Sequence, residues 1–271
     1  MGKYFRIWFA LGRYGFIREM TFRSNFLIKV TVEVLWLSIL LIFYNAVFAN
    51  TDSVATWSRS EYMFYVGCYF SFSSILEAFF LENCGEFANL IRTGDLDFYL
   101  LKPIDEQFLL SCRKIDWSTI PSIFMGIGVM VFSLVDLSWE FDIVKLGLFV
   151  VLMACGVGIG YSFLLMITAS SVWLVRNQSL YEIWWLFSSL LRYPRDIFTK
   201  SNVDSMVIRS IGWVFTFVLP ILLAINVPAN VMVKAFEPWF MVLSVVMAVV
   251  LLTLSRWVFR SAMRHYRSAS S

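Results

Sequence analysis

Four charged residues lie within apolar stretches of the sequence, and their side chains have the clearest capacity for chemistry. Lys29 and Glu33 lie one helical turn apart, and Glu77 and Glu82 follow in the second stretch. A charge in such surroundings costs several kcal/mol unless it is paired or hydrated. Two interpretations are open. The charges line a hydrated vestibule near the inner leaflet, or Lys29 pairs with Glu33 or Glu77 and locks two helices together.

Other kinds of chemistry lack their usual residues. The sequence contains no GxxxxGK[ST] pattern, so a P-loop nucleotide site is excluded. The one histidine, His265, lies in a basic tail, and the four cysteines show no metal-ligand spacing. Gly156 and Gly160 form a GxxxG in an apolar stretch, which favours close packing of two helices. Packing within one subunit is the favoured interpretation and a dimer seam is the alternative. We therefore predict no metal and no cofactor in this chain.

Seven long apolar stretches dominate the sequence. Hydrophobic residues make up 59% of the chain and charged residues only 15%. A hydrocarbon core of about 30 Å needs about 20 apolar residues in a helix, and lipid offers no partner for unpaired backbone amides. The sequence thus predicts an all-α polytopic membrane protein, with 1–271 as a single transmembrane domain. The stretches are 26–48, 62–81, 120–137, 144–175, 181–191, 213–225 and 240–254.

The basic residues predict the topology, because cytoplasmic loops carry an excess of Lys and Arg. Both termini are basic and are predicted to be cytoplasmic, which requires an even number of crossings. We predict six transmembrane helices, the fifth starting near Gln178 and the sixth near Pro238. The segment 199–236 between them contains prolines and cations and is predicted to form re-entrant helices in the outer leaflet. The basic residues used are Lys3, Arg6, Arg13, Arg18, Arg23, Arg92, Lys102, Arg113, Lys114, Arg176, Lys200, Arg209, Arg256, Arg260, Arg264 and Arg267.

The segment 1–24 has an amphipathic pattern. Tyr4, Trp8, Leu11 and Ile17 recur at helical spacing, and basic residues lie between them. Such a helix lies in the headgroup layer with its apolar face toward the lipid tails and its cations toward anionic lipid. We predict an interfacial helix here.

The segment 90–103 reads LIRTGDLDFYLLKP. It resembles the I-R-x-G-x-L-D-x-x-L-L-[RK]-P signature found after the second span in one branch of the ABC-2 permeases, the membrane subunits of ABC exporters. LRYPRDIF at 191–198 is similar to the family's R-Y-P-x-x-I-[FY] stretch. VLP at 218–220 and VPA at 227–229 are similar to its V-I-P and P-A pairs. Val227 departs from the aromatic residue expected before the P-A.

The resemblance implies a permease subunit of an ATP-driven exporter. The apolar, aromatic-rich spans permit lipids, amphiphilic drugs, peptides or glycans as substrates, and we predict outward movement of an amphiphilic or lipid-like one. The resemblance also implies a bacterial inner-membrane protein that is not itself an enzyme and works with two copies of a separate ABC ATPase subunit. ATP and Mg would bind to that partner. A second permease, the same chain or a paralogue, and membrane lipids complete the expected partners, and nucleic acid is not among them. The alternative is an ion-coupled secondary transporter or channel subunit, for which an inverted repeat and midplane carboxylates would be expected.

In such exporters a short cytoplasmic coupling helix transmits motion of the ATPase to the spans, and the resemblance assigns it to 92–104. Gly94 can break the preceding helix, and the two aspartates after it favour a new helix N-terminus. Pro103 then ends or redirects the chain. Three leucines are predicted to form an apolar face against the ATPase, with a lysine at its edge. The predicted contact residues are Gly94, Asp95, Leu96, Asp97, Leu100, Leu101, Lys102 and Pro103.

Overall fold

The computed structural model describes residues 2–174, 178–199, 210, 212–218, 220–234 and 237–266. The regular secondary structure of these residues is helical, which confirms the all-α prediction for the described part of the chain. The helices are α1 (Gly2–Thr21), α2 (Arg23–Phe48), α3 (Arg59–Thr93), α4 (Leu96–Leu100), α5 (Glu106–Ser111), α6 (Ile120–Asp136), α7 (Ile143–Leu174), α8 (Gln178–Leu191), α9 (Arg195–Thr199), α10 (Leu223–Val233) and α11 (Pro238–His265). π-Helical turns occur at Glu77–Leu81 within α3 and at Val214–Val218.

Four of these helices are long and apolar enough to cross a membrane: α2, α3, α7 and α11. Each exceeds the roughly 20 residues that a bilayer requires. Helix α6 has 17 residues and is apolar, whereas α10 has only 11 and is about 17 Å long. The protein is thus a multi-helix membrane protein, and the count of six spans stays a prediction.

Helix α3 is the central element. Nearly all its side chains from Tyr62 to Leu76 are buried, and α6 packs along its length. The backbones of these two helices come close at Gly67 and Gly126, where a Cβ on Gly126 would lie 2.8 Å from the backbone nitrogen of Ser71. Small residues are what permit such an approach between membrane helices.

Helix α7 packs against α3, α10 and α11 and joins the two sides of the bundle. A Cβ at Gly156 would overlap the carbonyl oxygen of Ala224 on α10. A Cβ at Gly160 would lie 2.9 Å from the ring of Phe72 on α3. The GxxxG pair therefore packs within one subunit, as the favoured interpretation predicted.

Helix α1 contacts the bundle through two aromatic residues of its predicted apolar face. The ring of Tyr4 contacts Phe108 at 5.0 Å between centroids, and Trp8 contacts Phe79 at 6.1 Å. Tyr4 thus contacts the bundle while it stays 40% exposed, and Trp8 is more covered. Ile17 is exposed as expected. That α1 lies in the headgroup layer stays a prediction.

The segment 199–236 is described only in part. Helix α10 is almost completely buried, and the amide of Leu222 donates to the carbonyl of Phe215, which closes the turn before it. The re-entrant path in the outer leaflet stays a prediction. Four basic residues used for topology lie outside the described residues: Arg176, Lys200, Arg209 and Arg267.

Candidate functional site

Helices α3, α7 and α11 are longer than the hydrocarbon core of a bilayer is thick. Helix α3 has 35 residues and is therefore about 50 Å long, against a hydrocarbon core of about 30 Å. Its last turns extend past the start of α6, because the amide of Asp116 already meets the carbonyl of Ala78 at 2.9 Å. We call this the inner end, the end that the charge distribution assigns to the cytoplasm. Helices α4 and α5 lie there.

A sharp break separates α3 from α4. Gly94 has φ of +77° and ends α3 in the left-handed conformation, which glycine adopts without steric cost. Asp95 follows at the N-cap position of α4, but its carboxylate accepts a 2.7 Å hydrogen bond from the hydroxyl of Thr93 and does not cap the helix. The side-chain capping predicted for Asp95 is therefore absent. Asp97 lies in the first turn, where a negative charge is favourable.

Helix α4 has one buried and one exposed apolar face. Leu96 is fully buried in a cluster with Phe87, Leu110 and Phe259, and Leu100 packs against the same cluster. Leu101 and Phe98 are 82% and 68% exposed. The predicted contact face of Leu96, Leu100 and Leu101 is therefore wrong for Leu96. Leu96 anchors α4 to the bundle, and the exposed face consists of Phe98 and Leu101.

The ring of Tyr99 fixes the orientation of α4. The Lys102 ammonium lies 4.6 Å from the ring centroid and the Arg113 guanidinium lies 5.1 Å from it. Arg113 also donates to the Tyr99 hydroxyl at 2.9 Å and forms an ion pair with Glu86 on α3. This places α4 against the end of α3 through charged as well as apolar contacts.

Helix α5 connects the same segment to α7 and α11. Asp105 caps α5 by accepting from the amide of Phe108, and it pairs with Arg256 of α11 at 2.7 Å. Burial opposes ionisation of Asp105, but the bonds from Arg256 and Phe108 outweigh it, so the pKa of Asp105 is lowered. Arg256 also donates to Gln107, which donates in turn to the Tyr161 hydroxyl of α7 at 2.9 Å. Movement of 96–111 is thereby tied to three long helices.

The comparisons with known proteins agree with this architecture. The family model described as ABC-2 family transporter protein matches residues 34–270. The chain belongs to this family. Neither the comparison with curated proteins nor that with solved structures found a match. Family membership makes the protein a membrane transport component without an ATPase domain of its own, and it implies partnership with an ABC ATPase subunit.

The intramembrane charges of this ABC-2 permease have partners that the sequence did not indicate. Lys29 pairs with Asp116, in the loop before α6, at 3.2 Å. The predicted pairing of Lys29 with Glu33 or Glu77 is therefore wrong, because the 112–119 loop folds back under α2. Glu82 pairs with Lys114 of that loop at 3.1 Å.

Two of the four predicted charges line one cavity. Lys29 and Glu82 face a space of about 370 Å³ at the inner end of the permease, and Glu33 and Glu77 are not among its lining residues. Glu19 of α1 also lines it and accepts hydrogen bonds from the amides of Trp117 and Ser118 at 3.1 Å. Burial raises the pKa of Glu19, and these two bonds partly offset the rise. That this cavity is a hydrated vestibule stays a prediction, and it involves Lys29 and Glu82 but not Glu33 or Glu77.

Sequence reasoning missed the residues that connect the 96–111 segment to the long helices. Asp105, Gln107, Tyr161 and Glu86 carry no motif, and Arg256 was noted only as a basic residue of the C-terminal region. The one available signal was that Asp105 directly precedes an apolar helical run, which is typical of an N-cap. Nothing in the linear sequence could have paired Asp105 with Arg256.

Proposed function

We propose that the protein is the permease subunit of an ATP-driven exporter that moves an amphiphilic or lipid-like substrate outward. The observation that carries this proposal is the family match over residues 34–270. An ABC ATPase subunit, which family membership implies as a partner, would supply the energy, in keeping with the lack of a P-loop in this sequence.

The segment 92–104 is the proposed contact with that ATPase. Phe98 of α4 and Leu101, which directly follows it, are 68% and 82% exposed with respect to the described residues. Leu96 and the Asp105–Arg256 pair attach the segment to the bundle on the opposite side. A short helix that is exposed on one side and fixed on the other transmits force better than a flexible loop. Closure of the ATPase would therefore displace the inner ends of α3, α7 and α11 together.

The proposed assembly contains two permeases and two ATPase subunits, with the second permease being the same chain or a paralogue. ATP and Mg would bind to the ATPase subunits. The proposed location is the bacterial inner membrane, with both termini cytoplasmic, in keeping with the basic residues of 1–24 and of the C-terminal region.

Co-expression with a candidate ABC ATPase subunit tests the proposal. We expect the two proteins to co-purify in mild detergent. Leu101→Asp should weaken the complex at least tenfold, because burial of one leucine contributes about 1.5–3 kcal/mol. Phe141→Asp is the matched control, since Phe141 is similarly exposed but lies in the turn between α6 and α7 at the opposite end.

Two outcomes would count against different parts of the proposal. Failure of the wild-type protein to bind any ATPase argues against an ABC permease. Normal binding and normal ATPase stimulation with Leu101→Asp argues only against 92–104 as the contact.

A further inference from the structure

Arg192 follows the last residue of α8, and its guanidinium lies between two aromatic rings. Its central carbon is 5.1 Å from the ring centroid of Trp36 on α2 and 5.8 Å from that of Tyr69 on α3. Cation–π contacts at these distances are attractive and hold the group in place. A ring face does not replace a hydrogen-bond acceptor, so the N–H donors of the guanidinium still require one.

The guanidinium lies near mid-height of the bundle. Trp36 is at the middle of the 26-residue helix α2, about 20 Å from either end at about 1.5 Å per residue. Tyr69 lies about 15 Å along α3 from its first residue, Arg59. This places a positive charge within the hydrocarbon layer, where it is costly without a partner.

No such partner exists among the residues that the structure describes. None of their carboxylates forms an ion pair with Arg192. The Nε atom is buried and has no hydrogen-bond acceptor. Lys29, Lys234 and Arg256 each have a carboxylate within 4 Å. The Nε atom of Arg195 is also buried without a hydrogen-bond acceptor, but its guanidinium lies over Phe240.

The surroundings of Arg192 favour an amphiphile over a free ion. Trp36 is 40% exposed, and Trp185 and Leu186, which precede Arg192 by seven and six positions on α8, are 54% and 61% exposed. A small hydrated anion would lose its water on reaching this depth and would gain no apolar contact. An anion attached to an acyl or alkyl chain would place its charge at Arg192 and its chain along these exposed apolar side chains.

We propose that Arg192 is the headgroup-binding residue for an anionic amphiphile, the substrate class of this permease. The inference rests on the proposed export function. Trp36 and Tyr69 position the guanidinium, and its N–H groups donate to a phosphate, sulfate or carboxylate. Charge-assisted hydrogen bonds of this kind are about twice as strong as neutral ones.

The test uses the purified full-length permease in dodecyl maltoside, with dodecyl phosphate as the probe and microscale thermophoresis as the readout. No ATPase is needed, so the result is independent of the export proposal. Arg192→Gln should weaken binding by about tenfold or more, the loss expected for a charge-assisted hydrogen bond. Arg192→Lys should retain most of the affinity because it keeps the charge.

Arg195→Gln is the matched control. It removes the same charge three positions away, but its guanidinium lies 4.0 Å from the ring of Phe240 on α11 and not beside Trp36. We expect its affinity for dodecyl phosphate to be unchanged. Equal binding by the wild-type protein and Arg192→Gln would overturn the proposal.

Three further measurements separate the sources of a bound anion. Inorganic phosphate that displaces the probe at equal concentration would show an ion site and contradict an amphiphile site. Phosphatidylglycerol that stays bound through purification, by native mass spectrometry, and depends on Arg192 would indicate a resident lipid and contradict the substrate assignment. A change of oligomeric state in Arg192→Gln, with no probe binding to the wild type, would indicate a carboxylate of a second permease and equally overturn it.

Discussion

Individual side chains at the inner end connect elements that are far apart in the sequence. Asp105 and Arg256 join α5 to the last long helix, and Tyr99 and Arg113 join α4 to the end of α3. The side chains of Asp105 and Arg256 are 31% and 40% exposed, so water screens their charges. This pair is therefore worth little alone, and the effect of these contacts comes from acting on one short segment.

Asp105→Asn isolates the charge of the Asp105–Arg256 pair, since asparagine can still cap α5. Because the folded-state pKa of Asp105 is lowered, the contribution of the pair is complete above the unfolded pKa of about 3.9 and is lost as the pH falls through the folded-state pKa. The variant should lose about 0.5–1 kcal/mol at pH 7, as is typical of partly exposed pairs. Thermal unfolding between pH 8 and pH 3 measures this.

The control for that prediction is Asp142→Asn. Asp142 also accepts hydrogen bonds at the start of a helix, from the amides of Val144 and Lys145, and it forms no ion pair among the described residues. Its effect on stability should be near zero at every pH. A constant difference between Asp105→Asn and the wild type down to pH 3 would contradict a role for the charge.

Gly156→Ala tests the close approach of α7 and α10. The added methyl group overlaps the backbone of Ala224, which cannot move without displacing a buried helix. We expect a loss of about 1–3 kcal/mol, the usual cost of overpacking. Gly147→Ala lies on the same helix with open space around it and should be neutral or slightly stabilising. Equal thermal stability of the two variants would argue against the tight contact.

At the scale of elements, α4 is the helix whose role depends most on orientation. Its five residues are too few to form a stable helix in isolation, so tertiary packing must hold it. Leu96 supplies that packing within the cluster formed by α3, α5, α7 and α11. The helix can present Phe98 outward only because Leu96 fixes its other face.

Substitutions on the two faces of α4 should separate stability from assembly. Leu96→Ala should cost about 2–5 kcal/mol, because it leaves a cavity in a fully packed cluster. Phe98→Ala should leave the melting temperature of the isolated permease unchanged and weaken only the ATPase complex. If Phe98→Ala destabilises the permease and Leu96→Ala does not, then α4 packs Phe98 against the bundle and exposes Leu96.

At the scale of the molecule, α3 and α7 form a central pair, and α2 and α11 are largely uncovered. Only 11% of the apolar window of α2 is buried, against 78% for α3. An apolar helix with so little cover must face lipid, a substrate or another permease. The large exposed area is consistent with a subunit that works within an assembly.

Labelling of introduced cysteines tests the predicted orientation, in a background without the four native cysteines. A cysteine that replaces Ser53, in the loop between α2 and α3, should react with a membrane-impermeant maleimide in intact cells. Cysteines that replace Lys3 or Lys102 should react only after permeabilisation. The expectation follows from the basic residues of 1–24 and 92–114. Reaction of Ser53 and Lys3 from the same side would contradict the prediction that α2 crosses the membrane.

The sequence by itself determined the helical membrane architecture, the family and the break at Gly94. These follow from local chemistry: apolar length fixes a span, and glycine fixes a left-handed turn. Only the tertiary structure decided that Lys29 pairs with Asp116, that Leu96 lies inward and that Arg192 lies at mid-height between Trp36 and Tyr69. Pairing and burial depend on which elements come within a few ångströms of each other, and spacing along the chain does not contain that information.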